Sequence, residues 1–135
     1  MLPMNSHAPK AVFTKTAPEP VGPYSQAVLT AGWLYCSGQI PLDPSNGLMV
    51  GGGDIEAETQ QVMANLISVL NAAGASPSNV VKANIYLVDL KDFEKVNNIY
   101  AKTFSEGISP ARACVQVAAL PKGARIEIDC IAWLG

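Results

Sequence analysis

The stretch Pro110-Ala111-Arg112-Ala113-Cys114-Val115-Gln116-Val117-Ala118-Ala119-Leu120-Pro121-Lys122-Gly123-Ala124-Arg125-Ile126-Glu127-Ile128-Asp129-Cys130 decides the fold. It reads as two strands joined by a Pro-Lys-Gly turn. The first strand carries Arg112. The second carries Glu127 and Asp129 inside an apolar, β-branched run. Strand side chains alternate, so Glu127, Asp129, Ile131 and Trp133 share one face, and Ile126, Ile128, Cys130 and Ala132 the other. Two carboxylates on so apolar a strand mean either a solvated outer face or a pocket with Arg112 as cation and Glu127 as base. Paired as a hairpin, the strands set Val117 opposite Glu127 and Arg112 opposite Ala132. Arg112 and Glu127 then stand about 17 Å apart at strand rise, too far to hold one small molecule. The expectation is a pocket at a subunit interface, with Arg112 from one chain and Glu127 from its neighbour. The alternative is a bulge or wider loop that joins them within one chain.

Upstream, Leu90, Phe93, Val96, Tyr100 and Phe104 form a helical stripe, predicting a helix from Asp89 or Leu90 to about Phe104. Asn97 sits on or beside that stripe. A buried amide left unbonded costs roughly 1–3 kcal/mol, so Asn97 either bonds backbone or faces a pocket. Val80 to Val88 reads as a strand with Val81, Ala83, Ile85 and Leu87 on one face. Before it, Asp54 is an N-cap, with Glu56 and Glu58 in the first turn. Ile55, Thr59, Val62, Met63, Leu66, Val69, Leu70 and Ala73 form one buried stripe, and Gly74 ends the helix. Leu42 to Gly53 reads as a flexible polar loop. Its Gly51-Gly52-Gly53 run lacks the spacing and lysine of a phosphate loop.

Ala27 to Thr30 and Trp33 to Ser37 flank Ala31-Gly32, a hairpin turn. Gly38 allows a close approach, by a ligand or another strand. Pro18, Pro20, Gly22 and Pro23 stiffen the loop that delivers Tyr24, which is a pocket wall or a hydrophobic plug. Ala11 to Lys15 reads as a short first strand, and residues 1–10 as a flexible tail ahead of a single domain over residues 11–135. The order β-β-β-α-β-α-β-β gives an α+β fold: a mixed, largely antiparallel six-stranded sheet with two helices on one face. Its other face needs a partner.

Composition narrows the function. Only 15% of the 135 residues are charged, against about 25% typically, which again suggests a homo-oligomer. Net charge is −2, with no basic run, so nucleic acid gains little electrostatic support. Cys36, Cys114 and Cys130 form no CxxC pair, and reduced thiols in the cytoplasm fit best. No apolar run is long enough to span a bilayer. The sole histidine, His7, lies in the tail. Histidine-assisted nucleophiles and histidine metal sites are therefore set aside.

With these residues together, the chain resembles the reactive intermediate deaminase (RidA/YjgF) family. The resemblance rests on Gly22-Pro23-Tyr24-Ser25-Gln26-Ala27, Ser37-Gly38-Gln39-Ile40-Pro41, Val96-Asn97, and Pro110-Ala111-Arg112 through Glu127, in that order. It implies a chorismate-mutase-like domain, a homotrimer around a barrel-like core of sheets, and pockets between subunits. It further implies hydrolysis of 2-imino acids, and their enamines, to 2-oxo acids and ammonia, as 2-iminobutanoate/2-iminopropanoate deaminases do. Such intermediates escape from pyridoxal-phosphate dehydratases acting on threonine or serine. Carried over by position, Arg112 binds the carboxylate, Glu127 orients water, Tyr24 completes the catalytic set, and Asn97, Ser37, Gly38 and Cys114 line the pocket. No metal or organic cofactor is implied. The rival readings are a non-catalytic small-carboxylate binder and an RNA-acting translation inhibitor.

Overall fold

A computed structural model describes residues 8–135. Most of the expected N-terminal tail, His7 included, lies outside the described residues. The elements are β1 (Lys10–Val12), β2 (Ala27–Thr30), β3 (Trp33–Gln39), α1 (Ile55–Ala72), β4 (Val80–Leu87), α2 (Phe93–Thr103), β5 (Ala111–Gln116) and β6 (Ile126–Trp133). The first strand thus starts at Lys10 and stops at Val12, shorter than the predicted Ala11 to Lys15. The six strands form one sheet in the order β1-β2-β3-β6-β4-β5. Every neighbouring pair is antiparallel except β4 and β5. Helix α2 makes the crossover that a parallel pair requires.

Each helix follows from its residues. Asp54 caps α1 by accepting from Ala57 N at 3.0 Å. Gly74, with φ +79°, ends it. The α1 stripe of Ile55, Thr59, Val62, Met63, Leu66, Val69 and Leu70 is buried throughout. It packs on Leu34, Ala83, Ile85, Leu87, Ile126 and Ile128, all facing the helices. The alternation read in β6 holds, with Ile126, Ile128, Cys130 and Ala132 buried and Glu127, Asp129 and Ile131 on the open side. The open side also carries Trp33, Tyr35, Val115 and Trp133, all exposed. An apolar surface of this kind marks an interaction site.

Further expectations are corrected. The Pro121-Lys122-Gly123 segment is a 3₁₀ turn, but it does not close a hairpin. β5 pairs with β4 alone in the sheet, and β6 inserts between β3 and β4. Hairpin chemistry is local, whereas β6 has two apolar strands to pair with and buries a full face between them. In β4, the pairing register slips between Val80 and Lys82. Val80 is therefore buried and Val81 exposed, the reverse of strict alternation.

The Leu42–Gly53 loop is also anchored rather than free. Leu42 is buried and bridges Met49. The buried Asn65 amide donates to Ile40 O and Leu42 O at 3.3 and 2.9 Å. All three glycines of Gly51–Gly53 take positive φ, which a side chain would resist. Gly51 also makes room for Glu58, which is fully buried and accepts from Arg125 N at 2.9 Å.

Candidate active site

The site residues fall into two groups, one on each face of the sheet. The first surrounds Arg112. In β5, Arg112 pairs with Ala83 and Cys114 with Ile85, so both side chains leave on the helix side of the sheet's edge. There α2 meets the guanidinium with three residues of one face, spaced by three and four. Asn97 Oδ1 accepts from Arg112 Nη1 at 2.6 Å. The Tyr100 and Phe93 rings lie 4.9 and 5.5 Å from its Cζ, within cation–π range. Asn97 thus bonds a side chain rather than backbone. Among the described residues no carboxylate reaches Arg112, and the one ion pair is Arg125–Asp92 at 2.8 Å. A guanidinium held only by neutral groups keeps its full charge for an anion.

Cys114 sits two residues along the same strand face. Burial pushes its thiol up, partly offset by Arg112, so the reactive thiolate is disfavoured. Cys36 and Cys130 are buried and directly paired across β3 and β6. The contact with Cys36, then burial, holds the Cys130 thiol far up. Nucleophilic thiol chemistry finds no support in these side chains.

The second group lies on the open face. Glu127 pairs with Tyr86 of β4. It rests against Gly38 of β3, where a Cβ would fall 2.7 Å from Glu127 Cδ. Gly38 belongs to a bulge, since Cys36 pairs with Cys130 but Gln39 with Ile128. Its missing side chain therefore serves a close approach by β6. Ser37, in the same bulge, donates to Ser25 O at 2.6 Å, and its N–H to Gln26 O at 3.0 Å. This ties the Tyr24 loop to the Glu127 end of β3. Gln26 is buried and bonds Thr14, Ala17 and Pro18, fixing the prolines' path. Tyr24 is about half exposed, its hydroxyl accepting from Val21 N at 3.3 Å. Exposure rules out a plug within this chain. Burial, then the charge of Asp129, holds the Glu127 carboxyl above its ordinary range, the direction that makes a carboxylate a better base.

Arg112 and Glu127 are therefore two strands apart, about 10 Å across the sheet, and three residues apart along it, about 10 Å more. They also point to opposite faces. The described chain does not bring them together. Sequence reasoning had Phe93 and Tyr100 only as an apolar stripe, although their spacing around Asn97 marked a shared face. It assigned no role to Asn84 and Tyr86, whose signal was polar side chains alternating with the buried positions of β4. No group of three or more histidine, cysteine or acidic residues among the described residues is arranged to hold a metal ion. No helix is long and apolar enough to cross a membrane.

Residues 14–134 match the family described as endoribonuclease L-PSP. The chain belongs to this family. Its Rid branch supplies similar structures and sequences. A Rid-family protein from Yersinia pestis is 46% identical, with a TM-score of 0.90 over 93% of this chain and 99% of that one. The rat 2-iminobutanoate/2-iminopropanoate deaminase is 52% identical over 132 residues, 98% of this chain and 95% of its own length. The structure of Escherichia coli TdcF with bound serine is 35% identical, with a TM-score of 0.88 over 93% of this chain and 99% of that one. The α+β Rid fold expected from the sequence is thereby confirmed.

Proposed function

We propose that this Rid-family protein is a cytoplasmic, cofactor-independent deaminase that hydrolyses small 2-imino acids to 2-oxo acids and ammonia. It acts as a homotrimer, each pocket combining Arg112 of one subunit with Glu127 of the next. The observation that carries this reading is the Arg112 guanidinium, held by an amide and two ring faces without a counter-ion. Such a fork accepts a carboxylate through paired charge-assisted bonds. The serine bound to TdcF is likewise a small molecule with a carboxylate. The imine-deaminating relatives and the apolar open face of the sheet support the rest.

The residues allow a balanced sequence. The substrate carboxylate seats on Arg112, with a backbone N–H near Cys114 as a further donor. Glu127 takes a proton from water as its oxygen bonds to the imine carbon, and the C=N π pair moves to nitrogen. Glu127 returns that proton to nitrogen, giving a carbinolamine. A second proton then passes from the new hydroxyl through Glu127 to nitrogen. The O–H pair closes to C=O, and the C–N pair leaves with nitrogen as ammonia, releasing the 2-oxo acid. General-base help of this kind is worth about 10²–10⁴-fold. Tyr24 and Ser37, beside Gly38, wall the water-bearing side of the pocket. Asn97 acts through Arg112.

The test is ammonia release from a freshly generated 2-imino acid, by wild type and Arg112→Ala in parallel. Activity above the uncatalysed rate in wild type alone is expected. No acceleration by wild type, with carboxylate binding retained, would favour the small-carboxylate binder. The ribonuclease named in the family description has little charge to work with, at a net −2. RNA cleavage by the purified trimer would reverse that judgement.

A further inference from the structure

Glu127 has an acidic neighbour on the open face. Asp129 lies two residues further along β6 and leaves the sheet on the same side. Its two carboxylate oxygens have separate donors, both from β4. Asn84 Nδ2 donates to Oδ1 at 2.8 Å, and the Tyr86 hydroxyl donates to Oδ2 at 3.0 Å. Tyr86 is the direct cross-strand partner of Glu127, and Asn84 that of Asp129. The Tyr86 hydroxyl therefore leans along the face to Asp129. The Glu127 carboxyl itself has no hydrogen-bond partner among the described residues. Of two adjacent carboxyls, one is held by two donors and the other by none.

The remaining surroundings do little to disturb this pair. On β4, Lys82 lies further along, at the level of Ile131. On β3, Gly38 touches Glu127, and Tyr35 again lies opposite Ile131. On β5 the open-face positions are Ala111, Ala113 and Val115, which carry no charge. Arg125, just before β6, is committed to Asp92.

We infer that Asp129, clamped by Asn84 and Tyr86, is a positioning residue that makes Glu127 the proton-exchanging carboxyl of the reaction. The inference rests on the role proposed above for Glu127. Asp129 touches no substrate atom. It acts by holding a fixed negative charge beside a carboxyl that must take and return a proton. Tyr86 stays protonated and keeps donating, because burial and then its bond to Asp129 push its own titration up. Asn84 contributes a donor with no proton to lose.

The experiment follows the Glu127 carboxyl by carbon NMR in protein labelled at glutamate side chains, its signal assigned by its loss in Glu127→Gln. Titrations of wild type and Asp129→Asn are compared with the pH dependence of kcat/KM for each. Asp129→Ala replaces Asp129→Asn if the latter does not fold. Removing the charge should lower the Glu127 midpoint and move the acid limb of kcat/KM to lower pH by the same shift. An unchanged midpoint in a folded variant overturns the coupling. A midpoint that falls while the acid limb stays in place overturns the catalytic role given to Glu127, and the role of Asp129 in the reaction with it.

Discussion

Arg112 and Glu127 lie on opposite faces of one sheet, with β4 between their strands. A carboxylate seated on the first cannot reach the second around a twisted, hydrogen-bonded strand. The proposed chemistry needs both, so it needs a second copy of the chain.

Mixing subunits tests this. The Arg112→Ala and Glu127→Ala proteins should each be inactive. Refolded together, they should regain part of the wild-type activity, because some interfaces combine two intact halves. Mixed trimers verified by mass spectrometry that stay inactive would sink the shared pocket.

Arg112→Lys tests the fork. Lysine keeps the charge but not the paired planar donors. Loss of one charge-assisted bond, about 1.5–3 kcal/mol, lowers kcat/KM about 10- to 150-fold. The change should appear in ammonia-release kinetics with the oligomeric state unchanged by light scattering. Near-normal turnover would mean that charge alone suffices.

Gly38→Ala separates activity from stability. The new Cβ would collide with the Glu127 carboxyl and its Cγ, so the whole flexible side chain must swing away. Thermal unfolding should change little. Misplacement of the base should cost about 10²-fold in kcat. Retained activity would show that Glu127 need not sit where Gly38 leaves it.

Tyr100→Phe isolates an orphan hydroxyl. The ring stacks on Phe104 at 4.6 Å between centroids and lies under Arg112. Its hydroxyl is buried with no partner among the described residues. An unmet buried polar group costs about 1–3 kcal/mol, so the variant should be at least as stable as wild type in urea titrations. Tyr100→Leu, which loses the ring, should instead raise KM several-fold, since a cation–π contact is worth about 0.5–2 kcal/mol.

The raised titration of Glu127 gives a stability signature with a definite sign. Between the ordinary glutamate range and the raised one, the folded state holds a proton that the unfolded state has lost. Stability from this group is therefore full at low pH and declines as pH rises through that window. Glu127→Gln removes the effect. Its unfolding free energy relative to wild type should rise with pH across that window and then level. A pH-independent difference would mean that Glu127 is not shifted by folding.

What the sequence reveals divides along a physical line. The α1 stripe, the Asp54 cap and the Glu127–Asp129–Ile131 alternation depend on neighbours close in the chain, and each is found where its period places it. The partner of β6 depends on which apolar strands are free, and no period encodes that. Gly38 is legible as a close approach, but only the β3 bulge shows that Glu127 makes it. Asn97 is legible as an amide on an apolar stripe. Its bond to Arg112 became visible once β5 lay beside β4 rather than β6. The Gln26 and Asn65 clamps carry no local signal, since their partners are backbone carbonyls of distant loops.

Because β6 sits between β3 and β4, the strand that comes last in the chain order joins two otherwise separate half-sheets. A growing chain leaves the ribosome at about 5–20 residues per second. Until β6 appears, β1–β3 and β4–β5 each present an open edge and an unfinished core. Partial chains therefore carry sticky edges, and folding waits on its farthest contacts. A nonsense mutation upstream of Ile126 would leave a chain prone to aggregate rather than a smaller working enzyme.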